Sequence, residues 1–273
     1  MRDLREHLLS LAQGDLLSWS DQRATAAAYG MTVGQVEEAA LEAGILPARY
    51  QRNRRTFSSE DQLRFCRTTA AVIGCGGLGG YIIEELARLG VGRIKAIDPD
   101  VFEEHNLNRQ LLASVQTLGK SKAEAAADRV ADINPAVYVV AIKERFSKEN
   151  GIGLLEGVQI AVDALDSIRT RLELADICRQ LSIPLVHGSI AGWCGQVVTQ
   201  LPGETILDRI FGRCVDEVGM EKELGNPSFT PALVASLQVA EVCKAILDRG
   251  TPVRGGMLVV NLLTMDVSKF SIG

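Results

Sequence analysis

One stretch constrains the fold more than any other: AAVIGCGGLGGYIIEELARLGVGRIKAIDPD, from Ala70 to Asp100. It opens with a short apolar run, Ala70 to Ile73, of the kind that forms a buried parallel strand. Gly74, Gly76, Gly77 and Gly79 come next and lead into a helical segment. There Ile82, Leu86 and Leu89 recur at three- and four-residue spacing, and Gly90 is placed to end the helix. A second strand, Arg93 to Ile97, delivers Asp98 at its carboxyl end. Strand, glycine turn, helix, strand and acid make a nucleotide-binding βαβ unit. The glycines let backbone N–H groups and the positive end of the helix dipole approach a phosphate. Asp98 is placed to take a ribose hydroxyl. On its own the unit serves NAD, FAD or ATP equally well.

The alternation continues beyond Asp98. The polar segment from Val101 to Gly119 is long for a βα connection, which marks a functional loop. Patterning predicts a helix from Lys122 to Ile133, a strand from Val137 to Ile142, and a short helix from Ser147, capped by that serine. The next strand runs from Val158 to Val162, ending near Asp163 and Asp166, and leads to a helix from Ser167 to Leu181 and a strand from Pro184 to His187. Past Gly188 the pattern becomes a strand (Gly195 to Leu201), an irregular loop (Glu204 to Asn226), a long helix (Pro231 to Leu247) and two closing strands. The fold class is therefore α/β: a Rossmann-like, mostly parallel, doubly wound sheet with an antiparallel C-terminal extension.

Residues 1–46 differ in character and are expected to form a small helical appendage, with residues 47–273 as the main domain. Leu4, Leu8 and Leu11 mark one amphipathic face, and Pro47 is expected to break the appendage from the main domain. AAAYGMTVGQVEEAALEAGI has the look of a helix-turn-helix, but its second helix carries Glu37, Glu38 and Glu42, which repel phosphates. The net charge of −5 likewise argues against nucleic acid. No uninterrupted apolar run has the length of a membrane span, and the acidic opening MRDLREHLLSLAQ is unlike a signal peptide. The cytoplasm is the expected compartment. Six scattered cysteines form no CxxC pair, so neither a disulfide framework nor a zinc ribbon is indicated. Cys178 and Cys243 read as packing residues and Cys75 as a small filler in the glycine turn.

The residues after Asp98 select the chemistry. Asn106, Arg109 and Gln110 fall in the loop beyond the strand ends, where an open α/β sheet binds ligands. Lys122 opens the next helix and points a cation back toward the same crevice, and Asp166 arrives from a later strand end. Two cations and a carboxylate around a nucleotide suit attack at phosphorus, with Arg109 and Lys122 neutralising oxygens and Asp166 holding Mg²⁺. Asp163 and Arg171 fit either structural pairing or function, whereas His105 and His187 read as structural.

The motifs Arg49-Tyr50-Gln51-Arg52, GCGGLG, IDPD, NLNRQ, GKSKAEAA, DALDSIRTR and SLQVAEVCKAIL closely resemble those of the ThiF-type adenylyltransferases. These activate the sulfur-carrier proteins of molybdopterin and thiamine biosynthesis and share the fold of ubiquitin-activating enzymes. The resemblance runs from about Arg49 to the C-terminus. It implies that Asp98 and Asp100, with Gly74, Gly76, Gly77 and Gly79, bind ATP, and that Asn106, Arg109 and Gln110 hold its phosphates. Arg109 and Lys122 would be the transition-state cations and Asp166 the Mg²⁺ ligand. Arg52 would reach across a homodimer to the partner's ATP. The implied partner is a small ubiquitin-like carrier ending in Gly-Gly, whose terminal carboxylate attacks the α-phosphate.

Two departures from the family pattern stand out. The two CxxC pairs of its zinc-binding members are missing, so zinc is not expected. The loop before the long C-terminal helix reads ELGNPSFTP, without the cysteine that thioester- or persulfide-forming members carry; Cys214 and Cys194 are the alternatives. Rival readings are a tRNA threonylcarbamoyl-adenosine dehydratase and an NAD-dependent oxidoreductase.

Overall fold

A computed structural model of the chain describes residues 3–212 and 221–272. It begins with α1 (Leu4–Leu11), β1 (Leu16–Leu17), α2 (Trp19–Tyr29), α3 (Val33–Glu42) and β2 (Leu46–Pro47). Side chains cap these helices: Asp3 accepts from Arg5 N–H, Ser18 from Asp21 N–H, and Thr32 forms a capping box with Gln35. Leu8, Leu17, Val36, Ala40 and Ile45 close a small core of their own.

This unit is not hung on a linker. Leu41 and Leu46 share a second cluster with Tyr50, and α3 lies along α4 (Ser59–Arg67). A Cβ on Gly34 would stand only 2.7 Å from the Ala136 carbonyl oxygen. Pro47, expected to separate two parts, is instead buried within β2, which pairs in parallel with β1. The acidic face that argued against DNA binding is spent on protein: Glu38 and Glu42 both grip Arg67.

The main domain alternates as its sequence requires. It runs β3 (Thr69–Ile73), α5 (Gly77–Leu89), β4 (Arg93–Ile97), α6 (Lys122–Ile133), β5 (Tyr138–Ile142), α7 (Gly151–Leu154), β6 (Ile160–Asp163), α8 (Ile168–Gln180) and β7 (Leu185–Ala191). After these come β8 (Cys194–Gln200), α9 (Ile206–Phe211), α10 (Glu221–Leu224), α11 (Phe229–Leu247), β9 (Gly256–Asn261) and β10 (Asp266–Ser271). The sheet order is β10-β9-β8-β7-β6-β3-β4-β5. Strands β7, β6, β3, β4 and β5 run parallel, and β8, β9 and β10 extend the sheet antiparallel. Gly90 ends α5 in the left-handed conformation, with φ +82°, as its position predicts. The short helix expected from Ser147 begins four residues later, because Asn150 turns its side chain back to accept the Ser147 N–H. β7 runs on to Ala191 and turns directly into β8, so the strand expected to stop at His187 is one arm of a long hairpin.

One apolar core lies between the sheet and α5, α6 and α11, the other on the opposite face with α8 and α9. Helix α11 is long and apolar enough to cross a membrane by length and composition. It packs along α5, β7 and β8 and buries two polar anchors. Gln238 donates to the Asp163 carbonyl at 2.9 Å, and Glu241 accepts from the Thr199 hydroxyl at 2.6 Å. These bonds mark it as the core helix of the domain.

Candidate functional site

The carboxyl ends of β3, β4, β6 and β7 open into a cleft of about 670 Å³, at the point where strand order reverses about β3. Its floor is the glycine turn. Gly74 takes φ +95°, and a Cβ there would sit 2.6 Å from the Ala164 carbonyl oxygen, so only glycine closes the turn against the β6 end. Gly76 stands at the N-cap of α5 and, with Gly77, faces the cleft. Gly79 has a different task. A Cβ on it would fall 1.8 Å from the Gly74 carbonyl oxygen, so it seats the helix on the turn rather than lining the cleft. Gly79→Ala is expected to cost about 1–3 kcal/mol as an overpacked contact. A thermal melt should show this as a drop of about 2–4 °C for each kcal/mol; an unchanged midpoint would show that the helix can lift without loss.

Asp98 lies at the end of β4 and is buried, with one oxygen accepting the Cys75 N–H at 2.7 Å and the other the Asp100 N–H at 2.8 Å. Burial raises its carboxyl above the usual range, against the pull of those two N–H groups and of Lys122. Cys75 itself is fully enclosed, its thiol pushed well above the ordinary range by burial, which makes it filler. Lys122, the first residue of α6, lies with its amine in the cleft wall, 3.2 Å from the Asp100 carboxylate. Ser121 caps that helix and fixes where the lysine emerges.

The long loop after β4 is tied down by its own side chains. The Asn106 side chain accepts the Glu103 N–H at 3.0 Å, and the Asn106 backbone carbonyl accepts from Arg109 and Gln110 N–H. Asn106 is thus buried in the loop's framework and does not line the cleft, contrary to the phosphate contact expected of it. It works by placing Arg109 and Gln110, which do line the cleft. The Arg109 guanidinium is oriented by the His105 carbonyl at 3.2 Å and the Asn108 side chain at 2.8 Å. Gln110 is buried beneath Gly76, and among the described residues its Oε1 has no hydrogen-bond partner.

Asp166 stands exposed on the opposite wall, two residues past Ala164. Its segment is anchored from below. Asp163, fully buried, accepts from Leu165 N–H (2.9 Å), Arg171 Nε (3.0 Å) and His187 Nδ1 (2.7 Å), and Arg171 also donates to the Leu165 carbonyl at 2.8 Å. Burial works to raise the Asp163 carboxyl, but Arg171 and His187 outweigh it and hold it below the usual range. Burial and the Arg171 charge keep His187 neutral. The Asp163–Arg171 pair and the buried His187 are therefore structural, and they set the strand end from which Asp166 projects.

Arg52 is exposed in the turn before α4 and does not line this cleft. Cys194 does line it, at the start of β8, whereas Cys214 lies outside the described residues. Cys178 and Cys243 have thiols pushed up to about 12 by burial, which suits packing. Among the described residues no group of three or more His, Cys, Asp or Glu side chains is arranged to hold a metal. Sequence reasoning did not single out Arg145, Gln196 or Asn226, all of which line the cleft. Arg145 lies just past the carboxyl end of β5, where the strand-end rule could have found it. Asn226 belongs to the segment before α11, and its backbone carbonyl accepts from Asn108 at 3.1 Å, a contact no local pattern reveals.

Residues 50–273 match the ThiF family. The chain is 35% identical over 209 residues to the SAMP-activating enzyme E1 of Haloferax volcanii, covering 76% of this chain and 77% of that one. It is 34% identical over 224 residues to the sulfur carrier protein adenylyltransferase of Thermus thermophilus, covering 78% and 82%. Among solved structures, the E. coli tRNA N6-threonylcarbamoyladenosine dehydratase in complex with AMP superposes with a TM-score of 0.63 at 25% identity, over 74% of this chain and 95% of that one. The chain belongs to the ThiF family.

Proposed function

We propose that the protein is an ATP-dependent adenylyltransferase that acts on the terminal glycine carboxylate of a small ubiquitin-like sulfur-carrier protein, in the cytoplasm. The observation that carries this reading is the convergence of Asp98, Arg109, Lys122 and Asp166 on one cleft at the sheet's switch point. The two relatives named for carriers of this kind, at 34% and 35% identity, support it over a tRNA substrate.

Each residue has its own share of the work. Asp98 holds the ribose, and the free N–H groups at the start of α5 meet phosphate oxygens. The carrier carboxylate attacks the α-phosphorus; the bond from that phosphorus to the bridging oxygen of the β-phosphate breaks, and pyrophosphate leaves with the electron pair. Arg109 and Lys122 offset the charge that develops on the phosphate oxygens. Mg²⁺ suits this donor set, because it binds through one or two carboxylates together with substrate phosphates, and Asp166 and Asp100 both border the cleft. When bound it would supply further neutralisation of phosphate charge. Because Arg52 stands outside its own cleft, we take the active form to be a two-fold dimer in which Arg52 completes the partner's site.

The test is exchange of labelled pyrophosphate into ATP with Mg²⁺ and a small carrier ending in Gly-Gly. Label is expected in ATP only when the carrier is present, and removal of its last glycine should abolish exchange. Tight NAD binding without any exchange would overturn the reading.

A further inference from the structure

Residues 1–46 touch the main domain along α4 and again at the segment that carries Arg52. Two residues shortly before Arg52 and one close after it are held from the N-terminal unit. Arg49 donates to Asn134 at the end of α6 and to Gln22 of α2 at 3.2 Å. It also lies 3.6 Å from Glu37 of α3 and stacks 5.1 Å above the Trp19 ring. Tyr50, 1% exposed, donates its hydroxyl to Glu37 at 2.6 Å and accepts from Asn134 at 2.9 Å. On the other side, Arg54 pairs with Asp15 at 2.6 Å. Between these grips the chain makes a tight turn, with Asn53 N–H bonded to the Tyr50 carbonyl and Thr56 N–H to the Asn53 carbonyl, both at 2.8 Å. Arg52 stands exposed on that turn. An arginine that serves another subunit gains by having its backbone fixed beforehand, since ordering a free turn on contact costs about 1–2 kcal/mol per residue.

We infer that the N-terminal helical unit is a brace that presents Arg52 to the partner subunit's site, with Asp15 and Glu37 as positioning residues. The inference rests on the dimeric adenylyltransferase reading above and adds a role for residues 1–46. It requires that a defect in the brace be felt in the partner's cleft and not in its own.

Mixing experiments separate these cases. The isosteric double variant Asp15→Asn/Glu37→Gln is expected to lose about tenfold in kcat for carrier-dependent exchange, with the KM for ATP little changed. Co-expressed with Lys122→Ala, it should recover about a quarter of parental activity, because half the dimers are mixed and each has one intact site of two. Arg52→Ala co-expressed with Lys122→Ala should recover to the same level. If the Arg52→Ala mixture recovers and the brace mixture does not, the brace acts within its own subunit and the inference fails. If neither recovers, the dimeric reading itself fails. If the double variant keeps full exchange, Asp15 and Glu37 do not position Arg52. Thermal unfolding checks that the double variant is folded at the assay temperature. Should it not be, Asp15→Asn/Arg54→Gln, which alters only half-exposed side chains, carries the same mixing test.

Discussion

Lys122→Ala is expected to lower kcat for carrier-dependent pyrophosphate exchange by about 10²–10³-fold, the usual loss when one preorganised donor to a charged transition state is removed. The geometry explains why the loss should fall on kcat. Lys122 lies at the mouth of α6, its side chain only 10% exposed, with its amine 3.2 Å from Asp100. Ser121 still caps the helix in the variant, and alanine is the best helix former, so the backbone has no reason to move. Asp100 is 57% exposed and is not stranded in an apolar setting when its partner goes. The fold should therefore be preserved while the cation that meets developing charge is lost, and a group of that kind lowers kcat and kcat/KM together. Asp166→Ala should act in the same direction, and it too removes an exposed side chain. Steady-state exchange kinetics with a matched thermal melt decide the matter. Undiminished exchange in both variants would mean that the reacting phosphate lies elsewhere.

What the sequence carries legibly is what local chemistry imposes. The glycine turn, the acid at the end of β4 and the cation opening α6 each arise from spacing along one element, and each sits where its pattern places it. The strand that begins the antiparallel extension, from Gly195, is equally legible from its alternation. The assignments that changed depend on neighbours that spacing alone does not reveal. Gly79 belongs to the same motif as Gly74, yet its closeness to the Gly74 carbonyl makes it a packing residue. Asn106 carries a polar side chain that a ligand could use, but Glu103 N–H takes it first. His187 and Asp163 are 24 positions apart and meet only because β6 and β7 are adjacent, with Asp163 opposite His187 in register. Gly34 of α3 packs against the Ala136 carbonyl, about a hundred positions on, and no pattern in residues 1–46 announces that they dock there.

Arg171→Met should be the most destabilising single change at the base of the site, by about 3–5 kcal/mol near pH 8, because it leaves a buried carboxylate without its principal counter-charge. Asp163 is 0% exposed and Arg171 4%; the guanidinium also stacks 4.9 Å from the Phe211 ring and holds the Leu165 carbonyl. In the parent, the lowered Asp163 carboxyl contributes stability that is fully present above its unfolded value and is lost as pH falls through the folded one. His187 works the same way: its lowered basicity means that the unfolded chain takes up protons first as pH drops below about 6.5. Removing Arg171 leaves burial to dominate at Asp163, and it takes from His187 the neighbouring cation that adds to the opposition of burial against its protonation. The variant's deficit should accordingly narrow between pH 8 and pH 5.5, as a proton shared by Asp163 and His187 replaces the missing charge. The double variant Asp163→Asn/Arg171→Met should be more stable than Arg171→Met alone at pH 8, because it removes the stranded charge. Denaturant melts of all three proteins at the two pH values measure this. A deficit that is constant with pH, or a double variant no better than the single, would show that Arg171 acts through its packing on Phe211 and not through Asp163. Leu165 is held on both sides by this network, so Arg171→Met should also displace Asp166, and an exchange assay at temperatures where the variant is still folded should show the loss.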